Sequence, residues 1–383
     1  MMKAGSSNFA PILLGLSFGL GYATQWRIGG VFGPSEFLMM FYLVSSFLKH
    51  QLKIFSLHDR LLFPLLFFQF LIVTPIVTIA VLITTELRVM PEYIIHFGVI
   101  FFLMSAWYLD LKNGFNFILF TKIFFYTFVI SVGLSYFFAG TWSTSDASGF
   151  AFSRFTSWAI NPNTPIFYAT SLMLFVALYL KEHTLLYISA IVLVCFPMGS
   201  DAFFLSIAIA LLVSFYSIVI PLRKISPGAY ISISLIFFIV FLYIILSQYY
   251  EDIITIWSVA DLGNARLQLI KSGIEFATTS PILGHGYGAY ATLLGRQRWE
   301  AHSTFIDLFL IFGLILPTVM YITYFRFIGY LLKNANIAGL AFMCAFIATS
   351  MFHFTGRHYF FWFEFILFFY VLERAKMLKR DSI

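Results

Sequence analysis

The residues best suited to chemistry lie between residues 264 and 302, just before a long apolar run. Arg266, Arg296 and Arg298 supply guanidinium groups, and His302 stands immediately before the run. A guanidinium group presents a planar fork of donors that fits two phosphate oxygens at once. A neutral imidazole can accept a proton near neutral pH. This set could therefore hold a phosphate group beside a general base.

His302 and Asp307 form the second part of this pattern. Ser303 and Thr304 can cap the helix that begins after His302, and the positive end of that helix favours a neutral imidazole. Asp307 lies inside the apolar run, where an ionisable group is costly and rarely faces lipid. It would orient His302, bind a sugar hydroxyl or pair with a cation. Position alone favours a plainer alternative, in which His302 is an interfacial residue with its polar edge in water.

A turn-rich loop, residues 280–290, carries His285 between Gly284 and Gly286. Glycine lets the backbone approach a ligand closely, so we expect the two glycines and His285 to contact substrate. The loop is not a nucleotide-binding P-loop, because no Lys-Ser or Lys-Thr pair follows it and no strand precedes it.

Two further arginines, Arg154 and Arg357, fall in other loops that the predicted topology places on the same side. As a group, the arginines suit an anionic, lipid-linked substrate, whereas any single one is better explained by contact with lipid headgroups. No metal site is predicted, because a break separates His353 from His358 and no cysteine or carboxylate has ligand spacing with them.

Composition defines the elements that must position these residues. Of 383 residues, 61% are hydrophobic and 10% are charged, whereas a soluble domain carries about 25% charged residues. The chain is therefore predicted to be an all-α integral membrane protein. Its net charge of +6 reflects membrane topology rather than nucleic-acid binding. The two cysteines lie inside apolar runs and are expected to be small core residues.

About twelve transmembrane helices are predicted from the apolar runs. The candidate spans are residues 8–25, 34–48, 61–85, 92–109, 115–139, 164–180, 184–198, 202–220, 228–248, 303–325, 336–353 and 358–373. Most of the 23 Lys and Arg residues fall in cytoplasmic loops if the N-terminus is cytoplasmic. Both termini are therefore expected in the cytoplasm. The first span could mimic a signal peptide, but the topology needs it as a retained span.

One large extramembrane piece interrupts this plan. Residues 249–302 form a periplasmic loop between spans nine and ten, and residues 1–383 are otherwise interpreted as a single polytopic membrane domain. Within the loop, residues 264–279 have apolar residues at amphipathic spacing, which predicts a helix near the membrane surface.

The segment 264–317 resembles the signature of the O-antigen ligase and polymerase family of bacterial membrane glycosyltransferases. In that signature an arginine leads an amphipathic helix, a Pro-Leu-Leu-Gly-x-Gly turn follows, and Ala-His-Asn/Ser precedes an apolar helix with a central glycine. The matching residues are Arg266 in the first element, Pro281, Gly284 and Gly286 in the second, and His302, Ser303 and Gly313 in the third. The segment "NPNTPIFYA", residues 161–169, is similar to the Pro-Asn element of the same family.

The resemblance implies a GT-C-like, metal-independent transferase of the bacterial inner membrane, with a periplasmic active site and no cofactor. Its donor would be an undecaprenyl-pyrophosphate-linked oligosaccharide, and its acceptor a glycan or lipid A core. A chain-length regulator would be a further partner. By motif position, Arg266 would hold the pyrophosphate and His302 would activate the acceptor hydroxyl.

The chain departs from the family at one position. Where the family often has Ser-Arg, this chain has Ser200 followed by Asp201. A second phosphate-binding arginine is therefore unassigned. The candidates for that role are Arg154, Arg296, Arg298 and Arg357.

Three functions fit these observations. A polymerase would extend a lipid-linked repeat unit, and the high Phe content and the departure from Ser-Arg favour it. A ligase would instead transfer the glycan to lipid A core, and no residue pattern identifies the acceptor. A transporter or flippase would predict ionisable residues in the mid-bilayer and helices broken there. The ionisable residues concentrate at the predicted outer rim, which favours a transferase.

Overall fold

Helices make up almost all of the regular structure in the computed structural model of the chain. The structure describes residues 8–28, 32–50, 62–84, 91–138, 142–143, 154–155, 157–159, 163–198, 201–219, 269, 271–287, 303–352 and 355–380. The helices are α1 (Phe9–Leu20), α2 (Pro34–His50), α3 (Leu62–Phe67), α4 (Thr74–Thr84), α5 (Pro91–Lys112), α6 (Phe117–Phe138), α7 (Asn163–Tyr179), α8 (Thr184–Cys195), α9 (Asp201–Val219), α10 (Thr304–Phe312), α11 (Ile315–Lys333), α12 (Ile337–Phe352) and α13 (Tyr359–Arg380).

Shorter elements join these helices. A π-helical stretch, Phe68–Val73, continues α3 directly into α4. Strands β1 (Trp142–Ser143) and β2 (Arg154–Phe155) pair antiparallel. Short 3-10 turns are Thr24–Trp26, Lys181–His183, Phe196–Met198 and Thr355–Arg357. Residues 271–277 are also helical.

The described helices include five stretches that are long and apolar enough to cross a bilayer. They are Leu62–Ala80, Ile95–Lys112, Phe117–Phe138, Lys181–Met198 and Ile315–Lys333. Large apolar side chains also cover the outside of the bundle: Leu48, Ile83 and Phe137 are 76%, 78% and 84% exposed. Hydrocarbon accommodates such a surface, whereas water does not. The chain is therefore an all-α, membrane-embedded protein. The count of twelve spans stays a prediction, and residues 228–248 lie outside the described part.

Two glycines let α1 lie unusually close to α6. Gly15 and Gly19 are one turn apart on α1, and a Cβ on Gly15 would lie 2.8 Å from the Ile123 side chain. A Cβ on Gly19 would lie 2.5 Å from Cβ of Thr127. Small residues at this spacing allow the close backbone approach that holds helices together in lipid. This contact makes α1 a wall of the bundle.

The helices begin and end at two opposite ends of the bundle. At one end, the Gln25 backbone N–H, after α1, donates to the Trp158 carbonyl at 2.9 Å, before α7. We call this the site end; α1 and α6 finish there, and α7 and α13 begin there. At the opposite end, Lys49 of α2 donates to Asp110 of α5 at 2.6 Å.

A polar network ties α2 to α5 at the opposite end. The buried Asp110 carboxylate accepts hydrogen bonds from the Tyr42 hydroxyl at 2.7 Å, Lys49 Nζ at 2.6 Å and His50 Nε2 at 3.0 Å. Asn113 Nδ2 lies 3.5 Å from the other ring nitrogen of His50. Three donors compensate the carboxylate for the water it has lost, so the network fixes the two helix ends together.

The predicted tenth span, residues 303–325, is two helices rather than one. α10 ends at Phe312, and Gly313 takes a φ of +70° before α11 begins. The Tyr321 hydroxyl donates to the Phe305 carbonyl at 3.1 Å, although a straight helix would separate these residues by about 24 Å. α10 therefore folds back along α11, and the prediction of one continuous span was wrong. Of the two helices, only α11 is long enough to cross a bilayer.

Candidate functional site

Buried hydroxyl groups hold the first turn of α10. Thr304 Oγ1 lies 2.9 Å from Thr355 Oγ1 and accepts the Thr355 backbone N–H at 2.7 Å. Ser350 Oγ lies 3.1 Å from Thr355 Oγ1. We call Thr304, Ser350 and Thr355 the hydroxyl cluster. Because Thr304 comes shortly after His302 in the chain, the cluster ties this part of the chain to the turn between α12 and α13.

Asp307 is buried and caps its own helix. Its Oδ2 accepts the backbone N–H of Ser303 at 3.2 Å, while the Ser303 carbonyl accepts the Asp307 N–H at 2.8 Å. A carboxylate in the first turn also meets the positive end of the helix dipole. The Asp307 carboxylate therefore contacts the backbone of Ser303, which directly follows His302 in the sequence. Its role toward His302 stays a prediction, since His302 lies outside the described residues.

The turn that contains Arg357 is packed between α7 and α10. The Arg357 main chain lies in the Thr355–Arg357 turn, and Thr355 contacts the start of α10 as described above. His358 follows the turn; its backbone N–H donates to the Thr355 carbonyl at 2.9 Å, and its Nδ1 lies 3.4 Å from the Tyr168 hydroxyl of α7. The structure therefore brings the backbone of Arg357 and the first turn of α10 together.

Arg154 belongs to a different part of the site end. Its strand, β2, is followed by Ser157, whose Oγ lies 2.6 Å from Ser135 Oγ on α6. The Phe155 ring stacks on Tyr136, also of α6, with centroids 4.0 Å apart. These contacts attach β2 to the end of α6, whereas the Arg357 turn is attached to α10.

His285 is held by its own segment. Its ring stacks on Phe276 with centroids 3.9 Å apart, and its Nε2 lies 2.9 Å from the Phe276 carbonyl oxygen and 3.0 Å from Thr279 Oγ1. Burial lowers the pKa of His285 below its ordinary value, although the hydrogen bond to the Phe276 carbonyl opposes this shift. The imidazole closes the end of the 271–277 helix. A contact with substrate stays a prediction.

Gly284 and Gly286 approach the protein's own backbone. Both have positive φ, +73° and +77°. A Cβ on Gly284 would lie 2.5 Å from the Ile311 carbonyl oxygen, and one on Gly286 would lie 2.9 Å from the Thr78 backbone. A Cβ on Gly313 would overlap the Ile282 carbonyl. The packing of loop 280–287 against α4 and the α10–α11 turn thus gives the glycine pattern an internal cause. A contact of these glycines with substrate stays a prediction.

The predicted amphipathic segment is helical over residues 271–277 and packs on α10. Leu269 and Ala277 form a small buried cluster with Leu310. Lys271 and Glu275 face outward and are exposed. Leu269 and Ala277 of this segment are thus covered by protein, whereas the apolar Ile274 is 48% exposed.

Sequence reasoning missed an ion pair at the site end. Arg27 Nη2 lies 2.5 Å from Glu36 Oε1, and the Gly33 backbone N–H donates to Glu36 Oε2 at 3.0 Å. Glu36 is buried in the first turn of α2. The sequence did contain a signal for this pair, since Glu36 lies near the start of an apolar span. A carboxylate that is buried there needs a partner. The Glu36 carboxylate therefore balances the positive charge of Arg27.

Four of the predicted site residues lie outside the described part: Arg266, Arg296, Arg298 and His302. Within the described residues, no group of three or more His, Cys, Asp or Glu side chains could hold a metal ion. No protein-family model matches the chain, and no curated protein matches it.

Proposed function

We propose that the chain is a glycosyltransferase of the bacterial inner membrane that polymerises undecaprenyl-pyrophosphate-linked repeat units at the periplasmic face. The observation that carries this proposal is the contact between Thr304 and Thr355. It ties the chain just after His302 to the turn that contains Arg357, and the reaction needs a base beside a guanidinium group. The resemblance of residues 264–317 supplies the donor class.

The finer architecture belongs to the same proposal. It comprises about twelve spans in a GT-C-like arrangement, with both termini in the cytoplasm and the site end in the periplasm. The described bundle of long apolar helices supports such a plan.

The proposed reaction uses two roles. The acceptor hydroxyl oxygen forms a bond to the anomeric carbon of the donor glycan, its proton passes to His302, and the bond from that carbon to the pyrophosphate oxygen breaks. The electron pair leaves with undecaprenyl pyrophosphate. Guanidinium groups, Arg266 first among them, stabilise the charge that grows on the leaving group. A positioned base typically contributes about 10²–10⁴-fold to such a step.

The fold of α10 changes the setting of the proposed base. The start of α10 lies beside Tyr321, which is about 9 Å along α11 from its first residue. His302 would therefore precede a short helix that packs along α11, rather than stand at the threshold of a spanning helix.

A transporter or flippase is the second candidate, and two observations favour it. The chain breaks at Gly313, and Glu364 is fully buried within α13, where Ser171 Oγ donates to its Oε1 at 2.5 Å. Broken helices and buried ionisable residues are typical of transport proteins. A ligase remains the alternative within the transferase class, with lipid A core as the acceptor.

One reconstitution separates these functions. Purified protein in lipid nanodiscs is incubated with a defined undecaprenyl-pyrophosphate-linked repeat unit, with and without lipid A core. Longer lipid-linked glycans identify a polymerase, and glycan attached to lipid A core identifies a ligase. Movement of the donor across proteoliposomes with no covalent product in either mixture would overturn the transferase proposal.

Substitution of His302 tests the mechanism in the same assay. His302→Ala is expected to lower product formation by about 10²–10⁴-fold because the base is lost. His183→Ala is the matched control, since His183 is exposed at the opposite end. Arg266→Ala should weaken donor use more than Arg266→Lys, which keeps the charge but loses the fork. Normal product from His302→Ala would remove His302 from the mechanism.

A further inference from the structure

The end of α10 needs no water to satisfy its backbone. The last four carbonyl groups of a helix have no partner within that helix. In α10 each of them accepts from another group of the protein: Phe309 from Gly313 N–H at 2.9 Å, Leu310 from His285 N–H at 2.7 Å, Ile311 from Gly286 N–H at 3.3 Å, and Phe312 from Gln69 Nε2 at 3.0 Å. This complete internal pairing is what a helix end requires where water is scarce.

The backbone of the 280–287 loop is also paired by hydrogen bonds within the protein. The Leu314 N–H donates to the Pro281 carbonyl at 2.7 Å, the Gly284 N–H to the Ser280 carbonyl at 3.0 Å, and the Tyr287 N–H to Thr78 Oγ1 at 3.0 Å. Pro281 itself has no N–H to satisfy. The loop and the α10–α11 turn therefore share their main-chain hydrogen bonds with each other and with α4.

The side chains at this point are apolar and face outward. Ile282, Leu283, Leu314 and Ile315 are 63%, 50%, 55% and 44% exposed. We call these four residues the apolar tip; the bond between Pro281 and Leu314 makes its two halves neighbours. Residues 276–287 and 308–325 contain no Asp, Glu, Lys or Arg. The surface continues along α11 through the exposed Ile322 and Phe325, on a helix that is long and apolar enough to cross a bilayer.

We propose that the apolar tip is inserted among the hydrocarbon chains of the lipid leaflet at the site end. Part of the segment predicted to be an extramembrane loop would then lie in the membrane. The partner is lipid hydrocarbon for three reasons. The helix end is paired without water, the exposed side chains carry no charge, and the surface is continuous with the apolar face of α11. Non-helical backbone is tolerated at membrane depth only where its polar groups are satisfied in this way.

Site-directed spin labelling tests the position of the tip. Single cysteines are introduced as Ile282→Cys and, separately, Ile315→Cys in the full chain, with Cys195→Ala and Cys344→Ala to remove the native thiols. Glu275→Cys, on the exposed face of the 271–277 helix, is the matched control. Each labelled protein is reconstituted in vesicles of phosphatidylethanolamine and phosphatidylglycerol. Collision rates with oxygen, which concentrates in hydrocarbon, and with a water-soluble nickel chelate are then measured.

The expected result is a several-fold higher ratio of oxygen to nickel collisions at positions 282 and 315 than at position 275. Using two positions keeps the test valid if one variant fails to fold. Equal ratios at all three positions would place the tip in water and overturn the proposal. Protection from both reagents at 282 and 315 would also overturn it, because a protein surface, such as a second copy of the chain, would then cover the tip.

Discussion

The two ends of the bundle are held by different kinds of contact. At the opposite end, the Asp110 carboxylate accepts hydrogen bonds from three donors, among them Lys49 and His50. At the site end, the hydroxyl cluster joins Thr304, Ser350 and Thr355 through neutral groups. In the first arrangement, the charged groups pair with each other within the protein. The second fixes the start of α10 without adding a charge. The hydroxyl cluster therefore adds no charge to that of the Asp307 carboxylate, which caps the same helix start.

The largest expected effect is at the opposite end. Asp110→Ala removes the acceptor shared by three donors and should lower the free energy of unfolding by about 3 kcal/mol, the low end for a broken buried pair because Lys49 can return to water. The measurement is chemical unfolding in detergent. Glu182→Ala, at an exposed position of the same end, is the control and should change little. Similar losses in the two variants would contradict the structural role of the network.

Glycine substitutions compare the two ends directly. Gly313→Ala at the site end combines a positive φ with a backbone overlap, whereas Gly114→Ala at the opposite end combines a φ of +93° with open space. We expect about 1 kcal/mol of destabilisation at Gly114 from backbone strain and about 2 kcal/mol or more at Gly313 from strain and overpacking. Thermal unfolding of both variants gives the difference. Equal effects would show that the α10–α11 turn has room to relax.

The hydroxyl cluster should give an intermediate effect on stability. Thr304→Val keeps the shape of the side chain but removes the acceptor of the Thr355 backbone N–H, which should cost about 1–2 kcal/mol. Thr304→Ser keeps the hydroxyl and is the control. Under the proposed function, Thr304→Val should also lower product formation, because the segment next to His302 loses its anchor. Loss of stability with full activity would limit the cluster to a structural role.

The smallest expected effect is the pH dependence contributed by His285. Because burial lowers its pKa, its contribution to stability is present above the ordinary value of about 6.5 and is lost as the pH falls below it. Water screens a half-buried group, so the loss should stay below about 1 kcal/mol. Unfolding of the wild type and of His285→Gln is compared between pH 7 and pH 5. A wild-type slope no steeper than that of the variant would contradict the prediction.

The helical, membrane-embedded architecture could be predicted from the sequence because long apolar runs have few alternatives. The break at Gly313 could not, since the glycine lies within an apolar run that is long enough to be one span. The reason for the break is distant in the chain: Gly284 and the Ile282 carbonyl press against Gly313, and Gln69 caps Phe312. Hydropathy carries no information about such contacts.

The candidate site was predictable to a similar degree. Asp307 was expected not to face lipid, and the structure shows it buried with its carboxylate capping α10. The tight conformation of Gly284 and Gly286 was also expected, but a glycine does not reveal which surface approaches it. The hydroxyl cluster could not be predicted from the sequence, because threonine and serine are common in apolar helices. Only the fold brings Thr304 next to Thr355.

The pairing at the end of α10 has a consequence for the order of assembly during synthesis. The side-chain and loop groups that cap α10, from Gln69, His285 and Gly286, all precede it in the chain, so they are already made when α10 leaves the ribosome. Thr355, which holds its beginning, is translated later. α10 can therefore dock by its last turn first, and its first turn would be fixed only after Thr355 has been made.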